Sequence, residues 1–143
     1  MATLLRIDAS ARKSESISRA LADQVHAQWA KANPNGRIIT RDLAKLPLPH
    51  ITETTIRGFY ASEMNTELKS ATRLSDELID ELLAADEILL STPMYNFSVP
   101  SSLKAYIDQI VRINRTFAVA DGQLQGLVPD KRVYLVLAEG AAY

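Results

Sequence analysis

The sequence lacks cysteine and has few histidines, and these absences narrow the chemistry available to the chain. Without cysteine there are no disulfides, thiolate metal ligands or thiol nucleophiles. The two histidines, His26 and His50, are too few for a histidine metal cluster, so we expect no metal site. Any chemistry must therefore come from hydroxyls, carboxylates, the backbone or a bound cofactor.

Strong net charge and long apolar runs are also missing. The 16 Lys and Arg residues nearly balance the 17 Asp and Glu residues, leaving a net charge of -1. No sequence-wide field attracts nucleic acid or anionic lipid, so we expect neither nucleic acid nor a membrane as a partner. No run approaches the roughly 20 apolar residues of a membrane span, and the start lacks the basic region of a signal peptide. These features predict a cytoplasmic protein.

Short β-prone segments alternate with amphipathic helical patterns along the chain. The predicted helices start at Ile17, near Leu74 and at Val99, and Asn33-Pro34-Asn35-Gly36 is the stop signal of the first. The predicted strands are Thr3 to Asp8, Arg37 to Arg41, Glu87 to Ser91 and Lys131 to Ala138. This alternation predicts an α/β fold in which helices cover both faces of a parallel sheet, as one domain over residues 1–143.

The segment from Asp42 to about Thr72 interrupts this alternation. It contains Pro47, Pro49 and Gly58 and has weak periodicity. We interpret it as a long excursion with a short helix around Glu63 to Ser70. Loops of this length in compact domains are commonly functional or disordered.

Hydroxyl-bearing residues follow the first predicted strand. Ser10, Ser14, Ser16 and Ser18 lie just before the first helix, where side-chain hydroxyls, backbone N–H groups and the helix dipole favour an anion. The segment has no G-x-G-x-x-G or G-x-x-x-x-G-K-[ST] pattern, so a monophosphate fits better than a dinucleotide or P-loop site. The alternative is that Ser14 or Ser16 is an ordinary N-cap and the other serines are solvated.

A block of large side chains follows the third predicted strand. Met94, Tyr95, Asn96 and Phe97 offer a flat, partly apolar surface. Ligands of open parallel sheets bind beyond the carboxyl ends of the strands. We therefore expect this block to converge with the serine segment and with residues 138–141, after the fourth strand. A planar heterocycle beside a phosphate describes FMN.

The same residues resemble those of the FMN-dependent NADH azoreductases and NAD(P)H quinone oxidoreductases. The most specific match is Pro93-Met94-Tyr95-Asn96-Phe97 followed by Ser101-Ser102-Leu103-Lys104-Ala105-Tyr106-Ile107-Asp108, together with the serine segment. Asp42-Leu43-Ala44 and Leu74-Ser75-Asp76-Glu77-Leu78-Ile79 are also similar to that family. The resemblance covers essentially the whole chain.

The resemblance implies a flavodoxin-like three-layer sandwich with the predicted strands in the order 2-1-3-4. It implies an oxidoreductase that passes reducing equivalents from NADH or NADPH through FMN to a quinone or azo compound, with no catalytic side chain, and a homodimer with an active site at each subunit junction. The implied cofactor-binding residues are Ser10, Ser16, Ile17, Ser18, Met94, Tyr95, Asn96, Phe97, Ala138, Glu139, Gly140 and Ala141.

Two features depart from the family pattern. Glu139 stands in the segment where relatives usually carry a glycine-containing loop with an arginine. Its negative charge near a flavin is expected to make reduction of the flavin harder. The alternative is that its side chain points to solvent. The chain ends at Tyr143, so we expect it to lack the fifth strand and last helices and to leave Val133 to Leu137 as an uncovered edge.

Two other functions are alternatives to the reductase. One is a flavodoxin-type electron carrier, and the other is a truncated, non-catalytic relative that acts as an interaction protein.

Overall fold

The structure is a computed structural model that describes residues 1–140 of the chain. Its elements in chain order are β1 (Thr3–Asp8), α1 (Ile17–Ala32), β2 (Arg37–Asp42), α2 (Glu53–Tyr60), α3 (Thr66–Ala84), β3 (Glu87–Pro93), α4 (Ser101–Ile110), β4 (Phe117–Ala120), β5 (Gln123–Gly126) and β6 (Arg132–Ala138). Among the helices of this part of the chain, none combines the length and apolar character that crossing a membrane requires.

The main sheet is parallel and has the strand order β2-β1-β3-β6. Because β6 is the fourth predicted strand, this order confirms the predicted flavodoxin-like topology. The register places Asp8 of β1 beside Asp42 of β2 on one side and beside Ser91 of β3 on the other. Three polar residues therefore lie side by side at the carboxyl edge of the sheet.

Helices pack on both faces of the sheet, as the alternating pattern predicts. On one face Leu4 and Leu89 pack with Ala22 and Trp29 of α1. On the other face the strands contact α3 and α4, through a cluster that contains Leu5, Ile7, Leu78, Leu82, Leu103 and Tyr106. Alternate residues of a strand point to opposite faces, so Leu4 and Leu5 belong to different clusters.

The segment from Asp42 to Thr72 contains a helix that the sequence did not predict, so the irregular stretch after β2 is shorter than expected. The structure forms α2 at Glu53–Tyr60, and the predicted short helix is the beginning of α3, which starts at Thr66. A capping box formed by Thr52 and Thr55 starts α2. Thr55 takes the third helical position, where capping boxes usually have Glu or Gln. The two prolines, Pro47 and Pro49, lie between the end of β2 at Asp42 and this cap, so they do not interrupt the helix.

A two-stranded antiparallel hairpin precedes β6, in a segment for which no structure was predicted. Phe117–Ala120 pairs with Gln123–Gly126. Asp121 and Gly122 at the turn have φ values of 53° and 74°, which suit an Asp-Gly turn. Both strands are mostly exposed, and Leu124 is 79% exposed. Strands are recognised in a sequence by apolar residues that alternate with polar ones, because one face is buried and the other is open. The hairpin has no buried face, so its sequence lacks this alternation.

One face of β6 is open to solvent, as the sequence predicts. Val133, Leu135 and Leu137 are 54%, 62% and 50% exposed. Their side chains belong to the same face of the sheet that α3 and α4 cover at β1 and β3. Within residues 1–140 no helix covers these three side chains.

Helices α2 and α3 approach closely at Gly58, which generates a stability prediction. A Cβ atom at position 58 would lie 2.4 Å from Cγ2 of Thr72. We expect Gly58→Ala to destabilise the fold by about 1–3 kcal/mol, because overpacking outweighs the helix propensity of alanine. Urea unfolding measures this change.

The double variant Gly58→Ala/Thr72→Ser identifies the clash. Serine lacks Cγ2 but keeps the hydroxyl that Thr72 donates to the Leu68 carbonyl oxygen at 3.0 Å. We expect the double variant to be more stable than Gly58→Ala. Gly126→Ala is the control, because an added Cβ there meets nothing within 4 Å. Equal stability of the Gly58→Ala and Gly126→Ala variants would contradict the packing argument.

Candidate functional site

Three chain segments meet at the carboxyl edge of the main sheet and form a pocket of about 290 Å³. The predicted site residues that line it are Ser10, Ser16, Ile17, Ser18, Met94, Tyr95, Ala138, Glu139 and Gly140. Arg12, Glu15 and Pro93 also line it and were not among the predicted site residues. Ala141 lies outside the described residues. The pocket thus lies where a parallel sheet binds its ligands.

The serine loop, residues 9–16, forms one side of this pocket. Ser16 is the N-cap of α1, since its Oγ accepts a hydrogen bond from the Arg19 backbone N–H at 3.3 Å and lies 3.2 Å from Ser18 Oγ. The Ser10 Oγ accepts a bond from the Arg12 N–H at 3.2 Å. Both hydroxyls act as acceptors, so their protons can point towards a ligand. Ser14 is exposed and does not line the pocket.

The segment after β3 forms a tight turn. Tyr95 and Ser98 exchange backbone hydrogen bonds of 2.9 and 3.0 Å. The residues between them, Asn96 and Phe97, have φ values of 51° and 62°, which is the left-handed backbone of a type I′ turn. Positive φ is unusual for an aromatic residue, and strain of this kind is concentrated at functional sites.

The turn divides the predicted flat surface. Met94 and Tyr95 line the pocket, whereas Asn96 and Phe97 do not, and Phe97 is 77% exposed. Asn96 and Phe97 lie where the chain reverses direction, and their contact with a cofactor stays a prediction. The Tyr95 hydroxyl accepts a hydrogen bond from the Ala11 N–H at 3.3 Å, and the Met94 N–H donates to the Ala138 carbonyl at 2.8 Å. These contacts join all three segments.

Two carboxylates lie at the pocket. Glu15 and Glu139 both line it, and Glu139 is exposed. Arg12 is the one basic side chain among the described lining residues. Glu139 therefore lies at the pocket wall and is also in contact with solvent.

Buried ion pairs lie beneath the serine loop, and sequence reasoning missed them. Asp8 is 3% exposed, and its Oδ1 accepts hydrogen bonds from Ser91 Oγ at 2.7 Å and from Arg6 Nε at 3.1 Å. Arg6 also contacts Asp23 and His26 of α1, at 2.8 and 3.2 Å. The signal for this network was the pair Arg6 and Asp8, two charged residues two positions apart in a short β-prone segment, since charged residues of a buried strand are tolerated only when paired.

Arg19 connects the two strand ends through a second set of ion pairs. Its Nη1 and Nη2 donate to the Oδ2 and Oδ1 atoms of Asp42 at 2.8 and 2.9 Å. The same Nη1 lies 3.7 Å from Asp8 Oδ2. The hydrogen bond from Arg19 lowers the pKa of Asp42 to about 2, and backbone N–H groups of Ala44 and Lys45 act in the same direction.

Comparison with known proteins establishes the family. A family model described as "Flavodoxin-like fold" matches residues 2–143. The chain belongs to the flavodoxin-like family of FMN-dependent NADH:quinone oxidoreductases. A protein of that name from Xanthobacter autotrophicus is 50% identical over 143 residues, covering 99% of this chain and 69% of its own length. The protein of the same name from Beijerinckia indica is 45% identical over 145 residues, covering 100% of this chain and 72% of its own.

Solved structures agree with the sequence relatives. The crystal structure of an azoreductase from Bacillus anthracis strain Sterne superposes with a TM-score of 0.91 at 28% identity. The match covers 100% of this chain and 71% of that one. Membership of the family thus rests on both sequence and three-dimensional structure. Which side chains bind a cofactor stays a prediction.

The Arg19–Asp42 pair predicts a dependence of stability on pH. Because the pKa of Asp42 is lowered from 3.8 to about 2 on folding, its contribution is complete above pH 4 and is lost as the pH falls towards 2. We expect the difference in unfolding free energy between the wild type and Asp42→Asn to shrink by about 2 kcal/mol between pH 5 and pH 2.

Urea unfolding at a series of pH values measures this difference. Asp130→Asn is the control, because Asp130 is an exposed loop carboxylate just before β6. Its difference from the wild type is expected to stay constant over the same range. A constant difference for Asp42→Asn as well would show that the ion pair does not stabilise the fold.

Proposed function

We infer that this protein is an FMN-dependent oxidoreductase that uses NADH to reduce quinones and azo compounds. The observation that carries this inference is the pocket at the carboxyl edge, where serine hydroxyls at a helix N-terminus lie beside Met94 and Tyr95. Relatives at 50% and 45% identity are named for FMN, NADH and quinone. A related solved structure is named an azoreductase.

The residues present fit FMN. Ser10, Ser16 and Ser18 provide hydroxyl protons and the N-terminus of α1 for the phosphate. Tyr95 and Met94 provide a ring face and a thioether for the flat flavin ring. Ala138, Glu139 and Gly140 form the opposite wall. When bound, FMN accepts a hydride from NADH and passes electrons to the acceptor.

The protein's own role in this mechanism is to bind, orient and exclude water. The bond from the Ala11 N–H to the Tyr95 hydroxyl holds the phosphate side and the ring side of the pocket together. The type I′ turn at Asn96 and Phe97 reverses the chain directly after the lining residues Met94 and Tyr95. We assign no catalytic side chain, because the cofactor performs the electron transfer.

A homodimer completes the site in this proposal. The pocket of about 290 Å³ is small for a flavin, as small-molecule sites commonly have volumes of about 300–1,000 Å³. Phe97 and Tyr60, at 77% and 69% exposure, are large aromatic side chains of the kind enriched at interfaces. A second subunit packed beside this turn encloses the ring edge. We place the protein in the cytoplasm, where NADH is available.

The visible spectrum of the purified protein tests the proposed function. We expect a yellow protein that NADH bleaches and that a quinone or azo dye restores to its oxidised spectrum. A yellow protein that NADH does not bleach indicates an electron carrier. A colourless protein that does not take up added FMN indicates a non-catalytic relative. Sedimentation in the same buffer measures whether the loaded protein is a dimer.

Glu139 generates a second prediction about this site. A flavin gains negative charge on reduction, and a carboxylate at the pocket wall opposes that gain. We expect Glu139→Gln to raise the midpoint potential of the bound flavin by on the order of 20 mV. For a two-electron couple, a shift of about 30 mV corresponds to about 1.4 kcal/mol.

A redox titration against a dye of known potential measures the shift. Asp130→Asn is the control, because Asp130 precedes β6 and so lies at the opposite end of the sheet. The variant is expected to leave the potential unchanged. An unchanged or lower potential for Glu139→Gln would mean that solvent screens its charge from the flavin.

A further inference from the structure

We propose that Arg19 is a positioning residue that holds the serine loop in the shape that binds a phosphate monoester. This proposal deepens the proposed function and rests on it. Arg19 does not itself line the pocket. It acts through Ser10 and Ser16, the two ends of the loop.

Arg19 contacts both ends of the serine loop. Its backbone N–H donates to the Ser16 Oγ at 3.3 Å, which caps α1. Its guanidinium turns back beneath the loop, and Nη2 donates to the Ser10 carbonyl oxygen at 2.7 Å. The bond to Ser16 comes from the backbone and would form with other residues at position 19, whereas the bond to Ser10 requires the guanidinium.

The guanidinium is held rigidly by the sheet below it. Asp42 binds it with both carboxylate oxygens at 2.8 and 2.9 Å, the geometry in which arginine pairs most firmly. Asp42 is fixed in turn by the backbone N–H groups of Ala44 and Lys45 at 3.0 and 3.3 Å. The arginine side chain is only 14% exposed. The loop is therefore anchored to the end of β2 in advance of ligand binding.

The contact with the Ser10 carbonyl matters for an anion. A carbonyl oxygen carries partial negative charge, and one that turned into the pocket would repel a phosphate. Arg19 binds this oxygen on the sheet side of the loop. The Ser10 hydroxyl, whose oxygen accepts the Arg12 N–H, keeps its proton for the pocket.

Arg19 also compensates charge beneath the pocket. Asp8 and Asp42 are neighbours across β1 and β2, and both are largely buried. Two uncompensated carboxylates at this place would disfavour a bound anion. Arg19 lies 2.8 Å from Asp42 and 3.7 Å from Asp8. It therefore offsets the negative charge of both strand ends.

Flavin binding to the apoprotein tests the proposal without any assay of turnover. FMN and riboflavin share the flavin ring and differ in the phosphate, so the ratio of their dissociation constants isolates the phosphate contribution. We expect Arg19→Gln to weaken FMN binding by about 10- to 100-fold and riboflavin binding by less than about threefold. Quenching of flavin fluorescence measures both constants.

Arg41→Gln is the matched control. Arg41 lies one residue before Asp42 and makes a similar two-point ion pair with Glu81, at 3.1 and 2.8 Å. This pair is similarly buried and contacts neither end of the serine loop. We expect Arg41→Gln to leave the ratio of the FMN and riboflavin dissociation constants unchanged, whatever its effect on stability.

A milder variant, Arg19→Lys, keeps the test informative if Arg19→Gln does not fold. Lysine keeps the charge but loses the two-point geometry. We expect Arg19→Lys to raise the ratio of the FMN dissociation constant to that of riboflavin, by less than the loss of the guanidinium.

The outcomes separate this proposal from the proposed function. An unchanged ratio in every folded Arg19 variant, or an equal loss of affinity for both flavins, overturns the positioning role while leaving flavin binding intact. Wild-type protein that binds FMN no more tightly than riboflavin has no phosphate site. That result overturns the assignment of the serine loop to the phosphate, and the role of Arg19 with it.

Discussion

The parallel register of β1 with its two neighbours is the constraint on which the site depends. It places Asp8 between Asp42 and Ser91 at the carboxyl edge, so two carboxylates lie side by side. Buried charges are tolerated only when they are paired and hydrogen-bonded. Arg6 and Arg19 provide that pairing, from β1 and from α1. The same ion pairs that allow the strands to align also support the loop above them.

The site built on this edge is suited to cofactor chemistry. Its hydroxyls and helix N-terminus are donors for a phosphate, and its aromatic and thioether groups suit a flat ring. The absence of cysteine and the scarcity of histidine are compatible with such a protein, because the reactive atoms belong to the cofactor. What the protein must supply is a preformed shape. The Tyr95–Ala11 contact and the strained turn at Asn96 and Phe97 are parts of that shape.

The parts of the fold that escaped prediction have physical reasons in common. Helix α2 has Thr55 at its third position, where a capping box usually has Glu or Gln, and it follows two prolines, so its local signals were weak. The β4–β5 hairpin is exposed on both faces, so it lacks the alternation of buried and exposed residues. Ile17 fits the helical pattern of α1, yet it is 70% exposed because it faces the pocket and not the core.

Sequence alone determined the four strands of the main sheet, the helices α1, α3 and α4 between them, the two-sided sheet and the loops that form the pocket. These follow from periodicity, caps and turn residues, which act over a few positions along the chain. Only the tertiary structure decided that the chain turns back at Asn96 and Phe97 and that Arg6 and Arg19 neutralise Asp8 and Asp42. Those outcomes depend on register and on contacts between residues distant in the sequence, and no local pattern encodes the distance between two such side chains.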